Sequence, residues 1–135
     1  VADAEDVILD GGEEECCSLI GLPSVNSVEI RFNGERELNW ILDVLSNALK
    51  ETRRKNMTIL LERPENSRVF VRLTADIFDR IVTLIHTLRS QCVEGCKLVL
   101  RIAWCTEEDG DMNHSRLVGR LQRTAVENEV DLEVR

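Results

Sequence analysis

From Val28 to Phe32 apolar side chains occupy every second position (Val28, Ile30, Phe32), with Glu29 and Arg31 between them. A period of two predicts a strand with one buried face. Asn33-Gly34 breaks the alternation, and from Arg36 to Lys50 the spacing changes: Leu38, Ile41, Leu42, Leu45 and Leu49 lie along one helical stripe. The cluster Arg53, Arg54 and Lys55 follows the helix, where cations suit the negative end of its dipole. Met57 to Glu62 predicts a second strand, and Pro64-Glu65-Asn66-Ser67 a turn. Arg68 to Leu73 then reads as a third strand, with Val69, Val71 and Leu73 inward and Phe70 and Arg72 outward. The short connection predicts an antiparallel hairpin between these two strands. Thr74 is placed to cap a second helix with the stripe Phe78, Ile81, Ile85 and Leu88. Lys97 to Trp104 predicts a fourth strand, and Thr106 to Asp111 an acidic loop. A third helix carries Leu117, Val118, Leu121 and Ala125, and Val130 to Val134 forms a last strand.

These elements contain an internal match. Val28-Glu29-Ile30-Arg31-Phe32 aligns with Val69-Phe70-Val71-Arg72-Leu73 at an offset of 41, and Ile59-Leu60 with Val99-Leu100 at 40. Two βαβ halves joined by a hairpin fold naturally into an antiparallel sheet with helices on one face. The expected α/β (α+β) fold therefore resembles the ferredoxin-like βαββαβ sandwich, also used by RNA-recognition domains, with an extra C-terminal helix and strand. Another architecture competes: Leu19-Ile20-Gly21-Leu22-Pro23-Ser24-Val25, followed by a strand and a helix, resembles a leucine-rich repeat. That reading requires parallel strands and at least three units, and the Pro-containing hairpin speaks against it.

Charge divides the chain. The net charge is −8, from 25 acids and 17 bases, and seven of the acids lie between Val1 and Glu15 with no base among them. Residues 1–17 therefore read as a flexible acidic arm and 18–135 as a single, nearly neutral α/β domain. Apolar residues make up 43%, enough for a core. No apolar run is long enough to cross a bilayer, and net acidity disfavours nonspecific attraction to phosphate backbones or anionic membranes. Five cysteines, including Cys16-Cys17 and Cys92-x3-Cys96, do not form the framework of a small secreted domain, so an intracellular, reducing setting, cytoplasmic or nuclear, is expected. The sequons Asn56-Met57-Thr58 and Asn113-His114-Ser115 point the other way, but such short motifs are weak signals.

Few residues suggest chemistry. In the ferredoxin-like strand order, Arg31, Arg72 and Arg101 would form a guanidinium row beside Phe70 on the open face, able to hold phosphate, carboxylate or a stacked base. The third strand lacks the Gly and the second aromatic of an RNA-recognition signature. Trp40 and Val44, one turn apart on the first helix, are either a wider core face or an anchor for a partner. Val7-Ile8-Leu9-Asp10 with Glu13, Glu14 and Glu15 resembles a SUMO-interaction motif, three aliphatics that add a strand to a partner's sheet beside steering acids. The cysteines lack the paired spacing of a zinc site, so no metal or cofactor is expected. His86 and His114 are expected at the surface, and no phosphate loop, His-Glu-x-x-His or Gly-x-Ser-x-Gly is present. The expectation is a non-catalytic adaptor or scaffold domain that binds another protein, with an edge strand able to pair two copies. A divergent RNA-recognition-like domain and a small enzyme are the alternatives.

Overall fold

The computed structural model describes residues 6–10, 27–32, 34–50, 53–62, 71–102, 104 and 110–134. Its strands are β1 (Asp6–Asp10), β2 (Ser27–Arg31), β3 (Arg54–Glu62), β4 (Cys92–Arg101) and β5 (Val130–Val134). Its helices are α1 (Glu35–Lys50), α2 (Ala75–Gln91) and α3 (Gly110–Glu127). Strands β2 to β5 form an all-parallel sheet in sequence order, and β1 extends it parallel to β2.

This overturns the antiparallel ferredoxin-like expectation, and the RNA-recognition resemblance goes with it. The pivotal segment is Arg68 to Leu73. Within it, Val71 makes only an isolated parallel bridge to Trp104, Arg72 and Leu73 lead into α2, and residues 68–70 lie outside the described residues. The strand that pairs with β3 is instead β4, reached through α2. With a helix between successive strands the crossover is long enough to return parallel.

Sequential strand order then fixes the layers. Right-handed crossovers that always step in one direction leave every helix on the same side of the sheet, and α1 packs on α2 as α2 packs on α3. The result is the stacking that the repeat alternative required, without a fixed period. Val28 faces Ile59, Ile59 faces Leu98, and Leu98 faces Leu132, in steps of 31, 39 and 34 residues.

The core lies between sheet and helices. Val28, Ile30, Phe32, Met57, Ile59, Leu61, Leu98, Leu100 and Ile102 face Leu38, Leu42, Leu45 and Leu49 of α1 and Ile77, Ile81, Leu84, Ile85 and Leu88 of α2. All of these are buried, among them Leu38, Leu42, Leu45 and Leu49 of the first predicted stripe and Ile81, Ile85 and Leu88 of the second. Thr74 caps α2 as predicted, its Oγ1 accepting from the Ile77 N–H at 3.3 Å. Cross-links tie the helices at their outer surfaces. Arg80 pairs with Asp43 between α2 and α1, Gln91 Nε2 donates to the Lys50 carbonyl at 2.9 Å, and the Arg120 guanidinium stacks 5.1 Å from the centre of the Phe78 ring. Glu129, with φ of 57°, adopts the left-handed conformation that turns the chain from α3 into β5. No helix among the described residues is long and apolar enough to cross a membrane.

Candidate binding surface

On the face away from the helices, the in-register parallel pairing lines up outward residues in rows across the strands. Adjacent strands lie about 4.8 Å apart, so row neighbours stand side by side. One row runs Arg31, Glu62, Arg101 across β2, β3 and β4. The next runs Glu29, Leu60, Val99, Glu133, and a third Ser27, Thr58, Lys97, Asp131. Arg31, Lys97, Arg101 and Asp131 are exposed, Glu29, Leu60, Glu62 and Glu133 are half-buried, and Val99 is buried. The surface thus has an apolar centre, Leu60 and Val99, framed by charges of both signs.

The charges interact. Lys97 Nζ lies 3.9 Å from Asp131 Oδ2 in its row. Partial burial pushes the Glu62 carboxyl above its usual range, and a hydrogen bond with the Glu29 carboxyl and that group's charge push the same way. Arg101 and Arg31 on either side pull it back down. Glu62 therefore holds its proton more readily than an ordinary glutamate, despite standing between two guanidinium groups.

The residues singled out from sequence are dispersed. Arg31 and Arg101 share a row, but Glu62 separates them, so the expected run of guanidinium groups becomes an alternation of plus, minus and plus. Arg72 is exposed beyond the sheet, just before α2, and Phe70 lies outside the described residues. Trp40 is 37% exposed and Val44 half-buried on α1. They belong to the helix layer, on the opposite side of the sheet from Arg31 and Arg101. Val7, Ile8, Leu9 and Asp10 form part of β1, in register with Val28 to Arg31, so this aliphatic run adds to the chain's own sheet.

Cys92 is buried and Cys96 half-buried. Contact with the Cys92 thiol pushes the Cys96 thiol upward, as does burial, leaving it a poor nucleophile at neutral pH. Cys16, Cys17 and Cys105 lie outside the described residues. Among the described residues no group of three or more His, Cys, Asp or Glu side chains could hold a metal ion. His86 is exposed and lines a shallow cleft of about 390 Å³ with Lys50, Thr83, Thr87, Ser90 and Gln91, while the side chain of His114 lies outside the described residues. Two of the cleft's hydroxyls are committed to helix carbonyls, Thr83 to Asp79 and Thr87 to Thr83, each at 2.9 Å.

Glu62, Leu60, Val99 and the Lys97–Asp131 pair were missed from sequence. Their signal was present: the runs Ile59-Leu60-Leu61 and Leu98-Val99-Leu100 are nearly continuously apolar, as central strands of parallel sheets are. Placing those strands side by side puts Glu62 next to Arg101. No protein-family model, curated protein or solved structure matches this chain.

Proposed function

We propose that this domain is a non-catalytic protein-interaction module whose contact surface is the open face of the parallel sheet. One observation carries the reading: rows of alternating charge, Arg31–Glu62–Arg101 and Lys97–Asp131, frame an apolar centre at Leu60 and Val99. A half-covered apolar patch with polar surroundings is the composition of a protein interface core and rim. Opposite charges alternating over a few ångströms complement a folded protein surface carrying its own mixed charges. They suit a polyanion poorly, because Glu62 and Glu29 stand between and beside the arginines that would neutralise phosphates. Strand-and-helix stacks present extended surfaces of this kind to their partners.

The test is an affinity capture from cell extract with the intact chain and with an Arg31→Glu/Arg101→Glu variant. Retention of one or a few defined proteins after nuclease treatment, lost in the variant, supports the reading. Recovery of nucleic acid in place of protein, with the same loss, overturns it.

A further inference from the structure

We propose that Cys92, Cys96 and Met57 form a sulfur site for a soft monovalent cation of the copper(I) type. The three side chains lie on the helix side of the sheet, so the inference is independent of the open-face reading. Cys96 stands beside Met57 of β3, on the same face as the buried pairs Ile59–Leu98 and Leu61–Leu100. Met57 is buried, and its thioether sits on a flexible stem that adapts to irregular space. Cys92 is the C-cap of α2 and belongs to the core. In a regular strand, residues four apart are about 13 Å from each other. Here β4 bulges: it advances three residues from Cys92 to Gly95 while β3 advances two from Arg54 to Asn56. The bulge draws the two cysteines together, and their thiols are in contact.

The donor set specifies the occupant. Thiolate and thioether sulfurs select soft ions, and two thiols with one thioether are too few for the four ligands of a structural zinc. Binding replaces the two thiol protons, which pass to solvent, and moves no electron. The product is a bis-thiolate carrying one negative charge. Arg89, which also pairs with Glu129, lies close enough to Cys96 to favour that charge. Cys96 is half-buried, which leaves a way in from solvent. Buried apolar neighbours, Val130 beside Cys96 and Leu88 at the cap formed by Cys92, keep water from the sulfurs. Cysteine spacing alone conceals the set, because its third donor comes from the neighbouring strand.

The probe is copper(I) itself, supplied without oxygen to the full chain in competition with a chromophoric chelator. X-ray absorption should show sulfur neighbours only, and affinity should rise with pH, since binding displaces protons. One ion per chain should remain, at unchanged affinity, when Cys16, Cys17 and Cys105 are changed together to Ser. Cys96→Ser removes a direct ligand and should cost more than the about 10–100-fold that loss of an outer partner costs. Met57→Leu conserves volume, so it should keep the fold while weakening binding severalfold. Circular dichroism checks the fold of each variant. The proposal is overturned if the parent chain does not bind, or if binding survives Cys96→Ser, ignores Met57→Leu or disappears with the triple change.

Discussion

Strands β2, β3 and β4 show two faces built from alternate residues of the same three segments. On the helix side, Val28, Ile30, Met57, Ile59, Leu61, Leu98 and Leu100 are each at most 1% exposed. On the other side, a residue away along the chain, stand Glu29, Arg31, Glu62, Lys97 and Arg101. The first set has little tolerance, because a close-packed layer registers the loss of a methylene group. The second is constrained only by neighbouring charges in its own rows. Buried core and outward charge thus occupy alternate positions of each strand, and substitution can separate them.

The largest effect should come from the covered face. Leu98→Ala removes a fully buried side chain at the centre of the sheet and is expected to cost about 2–5 kcal/mol, read from the urea midpoint. Arg101→Ala, at an outward position of the same strand three residues on, should leave that midpoint nearly unchanged and weaken partner capture. Equal loss of stability in both would break the comparison. Leu60→Ala lies between the two regimes. Its half-buried side chain should cost roughly 1 kcal/mol, well below Leu98→Ala, by the same denaturation measurement.

Glu62 sharpens the comparison through pH. Because its carboxyl titrates above the usual range in the fold, the proton is held more tightly folded than unfolded. Its favourable contribution is therefore complete below the ordinary glutamate value of 4.5 and is lost as pH rises through the folded value. Glu62→Gln, which mimics the protonated form, should raise the melting temperature at pH 7. The advantage over the parent should shrink as the pH falls below that ordinary value. A variant less stable than the parent at pH 7 would show that the pairing with Arg31 and Arg101 outweighs the crowding with Glu29. The smallest effect should be Asp43→Asn, which removes the partner of Arg80 on the exposed helix surface. Less than about 1 kcal/mol is expected, shrinking further in high salt.

Elements were easier to read from sequence than their assembly. The stripe Leu38, Ile41, Leu42, Leu45 and Leu49 predicted α1, and every one of those residues is buried. Val28, Ile30 and Phe32 were likewise assigned to the correct face of β2. Alternation, however, reports only that a segment has two unlike faces; it does not name the neighbour. Assigning Arg68 to Leu73 to the sheet inserted a hairpin, and that single insertion changed a run of parallel crossovers into an antiparallel sandwich. The match between Val28 and Val69 reinforced the error, since both segments share a pattern while β2 pairs with β3. The open face suffered in turn: the type and outward direction of Arg31 and Arg101 were legible, but Glu62 between them depended on strand order.

That strand order also governs how the molecule comes apart. Each strand and helix leans on the unit before and the unit after, so there is little distant pairing to hold the whole together at once. Opening of such a one-dimensional stack spreads inward from its ends, where each unit has a single neighbour. Amide protons in β3 and β4, flanked on both sides, should be the slowest to exchange with solvent, and those of β5 markedly faster. Opening is therefore expected to cost most at the middle of the stack and least at the edges of the sheet.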